Sequence, residues 1–299
     1  MKQAGLLARR FWNSLPVVVR AIVLAELIID AGGLLPQVFL VANLKLSPRI
    51  PWLLPATALW LWLFWGYLDG AGWPRATATS RRRDLRAGSL SVRVWLWALF
   101  AGGLGMVSVA TFAFVTARLA NLPRDAFKLP FDLTSYPIWT IAAILIAISI
   151  TAGVLEEAAF RGYLISLVER RHGWIVAILL SGLMFYVAHL SHAYVTLAFL
   201  PFFLSVSALH GLLVYLTRSI LPSVVLHAVA DMVVIPIQFG AIGHLSVTPI
   251  WQSGIDAEFV AYLVIVITFG LLAVPAFLHL AGVTKAGRLE ADAAGTISA

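Results

Sequence analysis

The chain predicts an all-α fold, a polytopic transmembrane helical bundle of about eight spans with both termini cytoplasmic. Composition points there first. Of 299 residues, 61% are hydrophobic and 12% charged, with a mean hydropathy of +0.93, values that soluble domains do not reach. Second, apolar runs about as long as a helix crossing the roughly 30 Å hydrocarbon core follow one another with short connections, which reads as a single domain over 1–299. Third, basic residues alternate between the connections in the way that orientation in a membrane requires.

The runs fall at about 16–42, 51–68, 94–117, 137–166, 173–190, 194–216, 219–240 and 257–281. The first is the least regular. Glu26 and Asp30 stand one turn apart in it and Gly32, Gly33 and Pro36 follow, so a kink or a break into two pieces is expected there. With the N-terminus inside, the inner segments hold Lys2, Arg9, Arg10 and Arg20, the cluster from Arg75 to Arg93, Arg170 with Arg171, Arg218, and Lys285 with Arg288. The outer segments hold only Lys45, Arg49, Arg118, Arg124 and Lys128. The polar connection 69–93, with Arg81-Arg82-Arg83, reads as a topology determinant beside anionic lipid rather than a ligand site. Residues 284–299 read as a disordered tail.

Composition also excludes. Without cysteine there is no disulfide, thiolate metal site or cysteine nucleophile, so histidines and carboxylates must carry any chemistry. The net charge of +7 belongs to residues flanking the spans, and no nucleic-acid partner is inferred; the bilayer is the expected partner.

Within the spans, Glu156-Glu157-Ala158-Ala159-Phe160-Arg161 places two acids in hydrocarbon, where one ionised carboxylate costs on the order of 2.5–3.5 kcal/mol. Neighbours on a helix project about 100° apart, so the two serve different ends. Glu157 and Arg161, spaced i, i+4, can pair; Glu156 is then left desolvated without a cation, a state suited to a general base. His189 closes Phe185-Tyr186-Val187-Ala188-His189, and His227 and Asp231 form another i, i+4 pair. Each is ambiguous alone: His227 and Asp231 suit a structural hydrogen bond, metal ligation or catalysis equally. Together, three neighbouring spans bring ionisable groups to membrane depth, the usual mark of a site.

Glu-Glu-x-x-x-Arg, then Phe-x-x-x-His, then His-x-x-x-Asp, each on its own apolar segment, resembles the CPBP intramembrane proteases, a family that includes the eukaryotic type II CAAX prenyl endopeptidases and many bacterial proteins. Gly211 to Thr217 and the run Arg218-Ser219-Ile220-Leu221-Pro222 resemble its approach to the last motif, and the likeness covers 140–235. It implies that Glu156 activates water with His189, that His227 and Asp231 complete the catalytic site, that Glu157, Arg161 and Phe185 support it, and that the site opens to the cytoplasm. It also implies an intramembrane endopeptidase acting on a membrane-associated protein or prenyl-peptide; the Ala-, Leu- and Arg-rich composition reads as bacterial, which places it in an inner membrane. Glu156, His189, His227 and Asp231 are acceptable zinc ligands, but a glutamate that ligates metal cannot serve freely as base, and metal-independent water activation is favoured. Two other readings stand beside it: a non-catalytic scaffold or immunity-type protein of the same family, and a proton- or cation-coupled transporter motivated by Glu26 and Asp30. His192 and His210 are further residues that could line the site.

Overall fold

The computed structural model describes residues 10–123, 126–127, 135–238 and 246–297, with side chains as far as residue 287. Lys2, Arg9, Arg124, Lys128 and the side chain of Arg288 lie outside them. Among the described residues there are helices and no strands. In order these are α1 (Val17–Leu46), α2 (Leu53–Leu68), the short α3 (Ala78–Leu85), α4 (Val92–Leu119), α5 (Ile138–Glu156) running into a π-helical stretch (Glu157–Leu164), α6 (Ile165–Ala188), α7 (Leu200–Thr217), α8 (Leu221–Gln238), a single turn α9 (Ile250–Ser253) and α10 (Ala257–Ile297), which covers most of the expected tail. Among the described residues, five stretches are long and apolar enough to cross a membrane, and the apolar α2 is shorter.

One of the five, Ile138–Ala188, is 51 residues long but not straight. Gly173 sits at φ +80°, ψ 167°, and the chain doubles back there. A left-handed φ of this kind is open to glycine at little cost.

The expected break in α1 does not occur. Pro36 lies inside a continuous helix, and its missing N–H strands the carbonyl of Gly32 four residues earlier. The Trp60 indole N–H on α2 donates to that carbonyl at 2.7 Å, replacing the lost bond. Asn43 then closes the turn into α2: its amide donates to the Ser47 and Ile50 carbonyls and its oxygen accepts from the Leu53 N–H, all within 3.0 Å.

The bundle has two unlike ends. At one, α3 lies across the π-helical stretch so closely that the Leu85 carbonyl is 3.0 Å from where a Gly162 Cβ would stand. Arg81 is buried here, donating to the Tyr67, Ala71 and Pro74 carbonyls and stacking on Tyr67, so one arginine of the triplet is an internal clamp. Arg86 and Arg218, both left-handed at the ends of α3 and α7, converge on Glu169 at 2.5 and 3.2 Å. Ser219 Oγ donates to the Gly88 carbonyl and Ile220 N–H to that of Arg86. At the other end, Thr140 donates to the Pro48 carbonyl, and fully buried Arg118 at the end of α4 holds Asp256 (2.6 Å) and Ser253 (2.9 Å) before α10.

Candidate active site

The π-helical stretch carries the centre. All eight of its residues are buried, and its wider turns shift the face that the following residues present. Glu157 is fully enclosed and holds three groups. Its Oε1 accepts from His227 Nδ1 at 2.8 Å and pairs with Arg161 at 3.3 Å, the i, i+4 ion pair the spacing predicts, while its Oε2 is 3.6 Å from His210 Nδ1. The Arg161 guanidinium stacks over Phe185 at 4.5 Å, which gives that aromatic residue its supporting place.

An ionised carboxylate only accepts, so His227 Nδ1 is assigned the proton. Its Nε2 is thereby turned outward, 3.6 Å from Glu156 Oε2 and 3.7 Å from Asp231 Oδ2. His189 is fixed in the same way: Nδ1 lies 2.8 Å from the Phe185 carbonyl, which cannot donate, and Nε2 is freed. Glu156, His189, His227 and Asp231 line one cavity of about 360 Å³ whose remaining wall is largely apolar and includes Phe185, Phe202 and Phe203. Close approach of α5 to α8 makes this possible: a Gly153 Cβ would stand 2.9 Å from the Val224 carbonyl.

Of the other residues singled out in the sequence, His192 and His210 line the same cavity; His210 is fully buried beside Glu157, with neither ring nitrogen hydrogen-bonded. His192 sits at the cavity rim, stacked on Tyr194, whose hydroxyl burial pushes above its ordinary pKa. Asp30 lines a second cleft of about 820 Å³ between α1, α2 and α5, and that cleft shares Ile148, Ala152 and Glu156 with the first. Glu26 lines neither. Sequence reasoning missed the π-helical register, Tyr194 and Gln238. A rim residue such as Gln238 carries no local signal, and neither does the irregular turn, whose burial on all sides belongs to its packing.

A glutamate, two histidines and an aspartate on one cavity, inside an apolar helical bundle, mark a multi-pass membrane protein with a buried polar site. Residues 137–233 match the family model described as Rce1-like, type II CAAX prenyl endopeptidase Rce1-like. This stretch is similar to that family and covers almost the same residues as the motifs read from the sequence. No curated protein and no solved structure matches the chain.

A metal fits poorly at the tightest donor cluster. Among the described residues, Glu157, His210 and His227 come within metal-ligand reach of one another. A cation there would displace the His227–Glu157 hydrogen bond and face the Arg161 guanidinium, 3.3 Å from the same carboxylate oxygen. No step below passes through a metal.

Proposed function

We propose that the protein is an intramembrane endopeptidase that hydrolyses a peptide bond of a membrane-associated protein or peptide by metal-independent water activation. The observation that carries this is the meeting of Glu156 with His227 and Asp231, from two helices some 70 residues apart, on one cavity that also takes His189.

The chemistry follows from the placement. Glu156 takes a proton from water as its oxygen attacks the scissile carbonyl carbon, and His189 Nε2 accepts the second water proton as a hydrogen bond. His227, protonated also at Nε2, donates to the developing oxyanion, with Asp231 balancing that charge. Glu156 then passes its proton to the amine as the C–N bond breaks. Glu157 keeps the His227 ring in one orientation, and Arg161 keeps Glu157 ionised. The catalytic core is 140–235 of a single domain, held in a cell membrane by eight passes: α1, α2, α4, the two arms that meet at Gly173, α7, α8 and α10, with both termini cytoplasmic.

The test is cleavage of candidate membrane-anchored peptides by wild type and Glu156→Ala in protease-null membranes, with and without a chelator. Wild-type turnover that survives the chelator and vanishes in Glu156→Ala is expected. Equal turnover by the two proteins sinks the assignment of Glu156.

A further inference from the structure

Asp30 stands in the middle third of α1, far from either end of the helix. It lies 10 residues from Arg20 and 15 from Lys45, the basic residues towards the two ends, about 15 and 22 Å along the axis. A carboxylate on a single methylene cannot reach water over that distance. Yet it is exposed, between Leu27 and Leu34, which are exposed too and face lipid with α1 a membrane pass as proposed above. Among the described residues it makes no hydrogen bond or ion pair, and Glu26, one turn back, adds repulsion.

The cleft that Asp30 lines, between α1, α2 and α5, holds about 820 Å³, more than twice the volume of the catalytic cavity. Its walls are firmly built. Gly32 packs on α5 so closely that a Cβ there would stand 2.5 Å from Leu155, and Trp60 on α2 donates to the Gly32 carbonyl. Asp30 and Glu156 flank that contact, and both line the cleft. On α2, Thr57 lines it as well; it is 2% exposed, and its Oγ1 has no hydrogen-bond partner among the described residues. Gln37, two turns after Asp30 on the same side of α1, adds an amide. The remaining wall is apolar except for Thr151, whose hydroxyl donates to the Ala147 carbonyl.

The chemistry of an occupant follows. An ionised carboxylate accepts and does not donate, and acids at membrane depth pair with something. Lipid tails offer no donor, and a lipid amine stays at the head-group level, about 15 Å from the midplane. The cation that does reach this depth is the lysine or arginine of another membrane-spanning polypeptide. Its apolar side chains suit the rest of the wall, and its polar groups suit Thr57 and Gln37.

We propose that the cleft between α1, α2 and α5 docks a membrane-spanning segment of another polypeptide, and that Asp30 selects a segment carrying a lysine or arginine near its middle. A segment held there lies against the helix that carries Glu156. This names the substrate class of the protease proposed above: the cutting rests on that reading, and the docking rests on Asp30, Thr57 and the cleft.

The chain has no cysteine, so one substitution supplies a unique thiol. Leu34→Cys marks the cleft, and Leu278→Cys, exposed on α10, is the control. Each is reconstituted in liposomes with a Leu/Ala peptide of about 20 residues, long enough to span, that bears lysine, leucine or glutamate at its centre and a cysteine one turn away. Disulfide formation is read by gel shift. The lysine peptide is expected to cross-link at 34 about ten-fold more than the other two, the worth of one polar contact within a membrane, and to show no such preference at 278. Asp30→Asn abolishes the preference, and Asp30→Lys transfers it to the glutamate peptide, a reversal that misfolding cannot produce. Equal capture of the three peptides at 34 leaves the cleft to lipid and overturns the proposal, as does a lysine preference that survives Asp30→Asn. None of these readings depends on turnover: the expected cross-links in a protein that cuts nothing retire the protease reading and leave the docking standing.

Discussion

Glu157 accepts the Nδ1 proton of His227 at 2.8 Å, and this bond between residues 70 positions apart decides which nitrogen of the histidine meets the cavity. Glu157→Gln removes the charge opposite Arg161. Leaving that guanidinium buried and unpaired costs about 3–5 kcal/mol, seen as a lower thermal midpoint in detergent. Adding Arg161→Met restores most of the stability, because no buried charge is then left unpaired. Turnover in the double variant stays down by about ten- to a hundred-fold, the range for partners that orient a catalytic histidine. Recovery of turnover along with stability would show Glu157 to be only a structural counter-ion.

His210 separates stability from activity in the other direction. Its ring makes no hydrogen bond, so His210→Leu relieves about 1–3 kcal/mol of unmet desolvation and raises the thermal midpoint. Loss of the contact 3.6 Å from Glu157 lowers kcat with KM unchanged. His210→Asn, which keeps a polar atom near Glu157, recovers part of the kcat. A lower midpoint in His210→Leu would contradict this account.

Gly153 tests the α5–α8 contact. A Cβ there would meet the Val224 carbonyl at 2.9 Å and the Ala228 nitrogen at 3.0 Å, backbone atoms that cannot turn aside. Gly153→Ala is expected to cost about 1–3 kcal/mol as the helices part, and to lower kcat because Glu156 and His227 part with them. Gly103→Ala is the control: nothing lies within 4 Å of its Cβ, and helix propensity alone favours it by up to about 1 kcal/mol. Equal thermal midpoints for the two variants would refute the contact.

Asp256 sets a pH dependence outside the membrane. Hydrogen bonds from Arg118 and from the Phe259 N–H hold its carboxyl below the ordinary carboxylate range. The folded state therefore binds this proton less readily than the unfolded chain. The resulting stabilisation is full above about pH 4 and disappears as pH falls through the depressed value. Asp256→Asn should melt below wild type at neutral pH, and the difference should close in acid; a constant difference would exclude the carboxylate as its source.

What the sequence made legible was local. The Glu157–Arg161 pair and the facing of His227 and Asp231 follow from a four-residue spacing, and the apolar runs locate the helices. The rest depends on distant partners. Continuity of α1 through Pro36 needs Trp60, 28 residues beyond Gly32, to repair the stranded Gly32 carbonyl. That His210 reaches the cavity beside Glu157 depends on how α7 packs against another helix, and no spacing within α7 encodes that. The π-helical register answers to packing on every side of 157–164, which a single segment does not display.

The cover that α3 lays over the π-helical stretch leaves the cavity no lining from that side of the bundle among the described residues. Glu156 faces two hollows at once, the aromatic-rimmed cavity and the cleft between α1, α2 and α5, so the one carboxylate is a party wall between them: whatever occupies either hollow changes the surroundings of the same side chain.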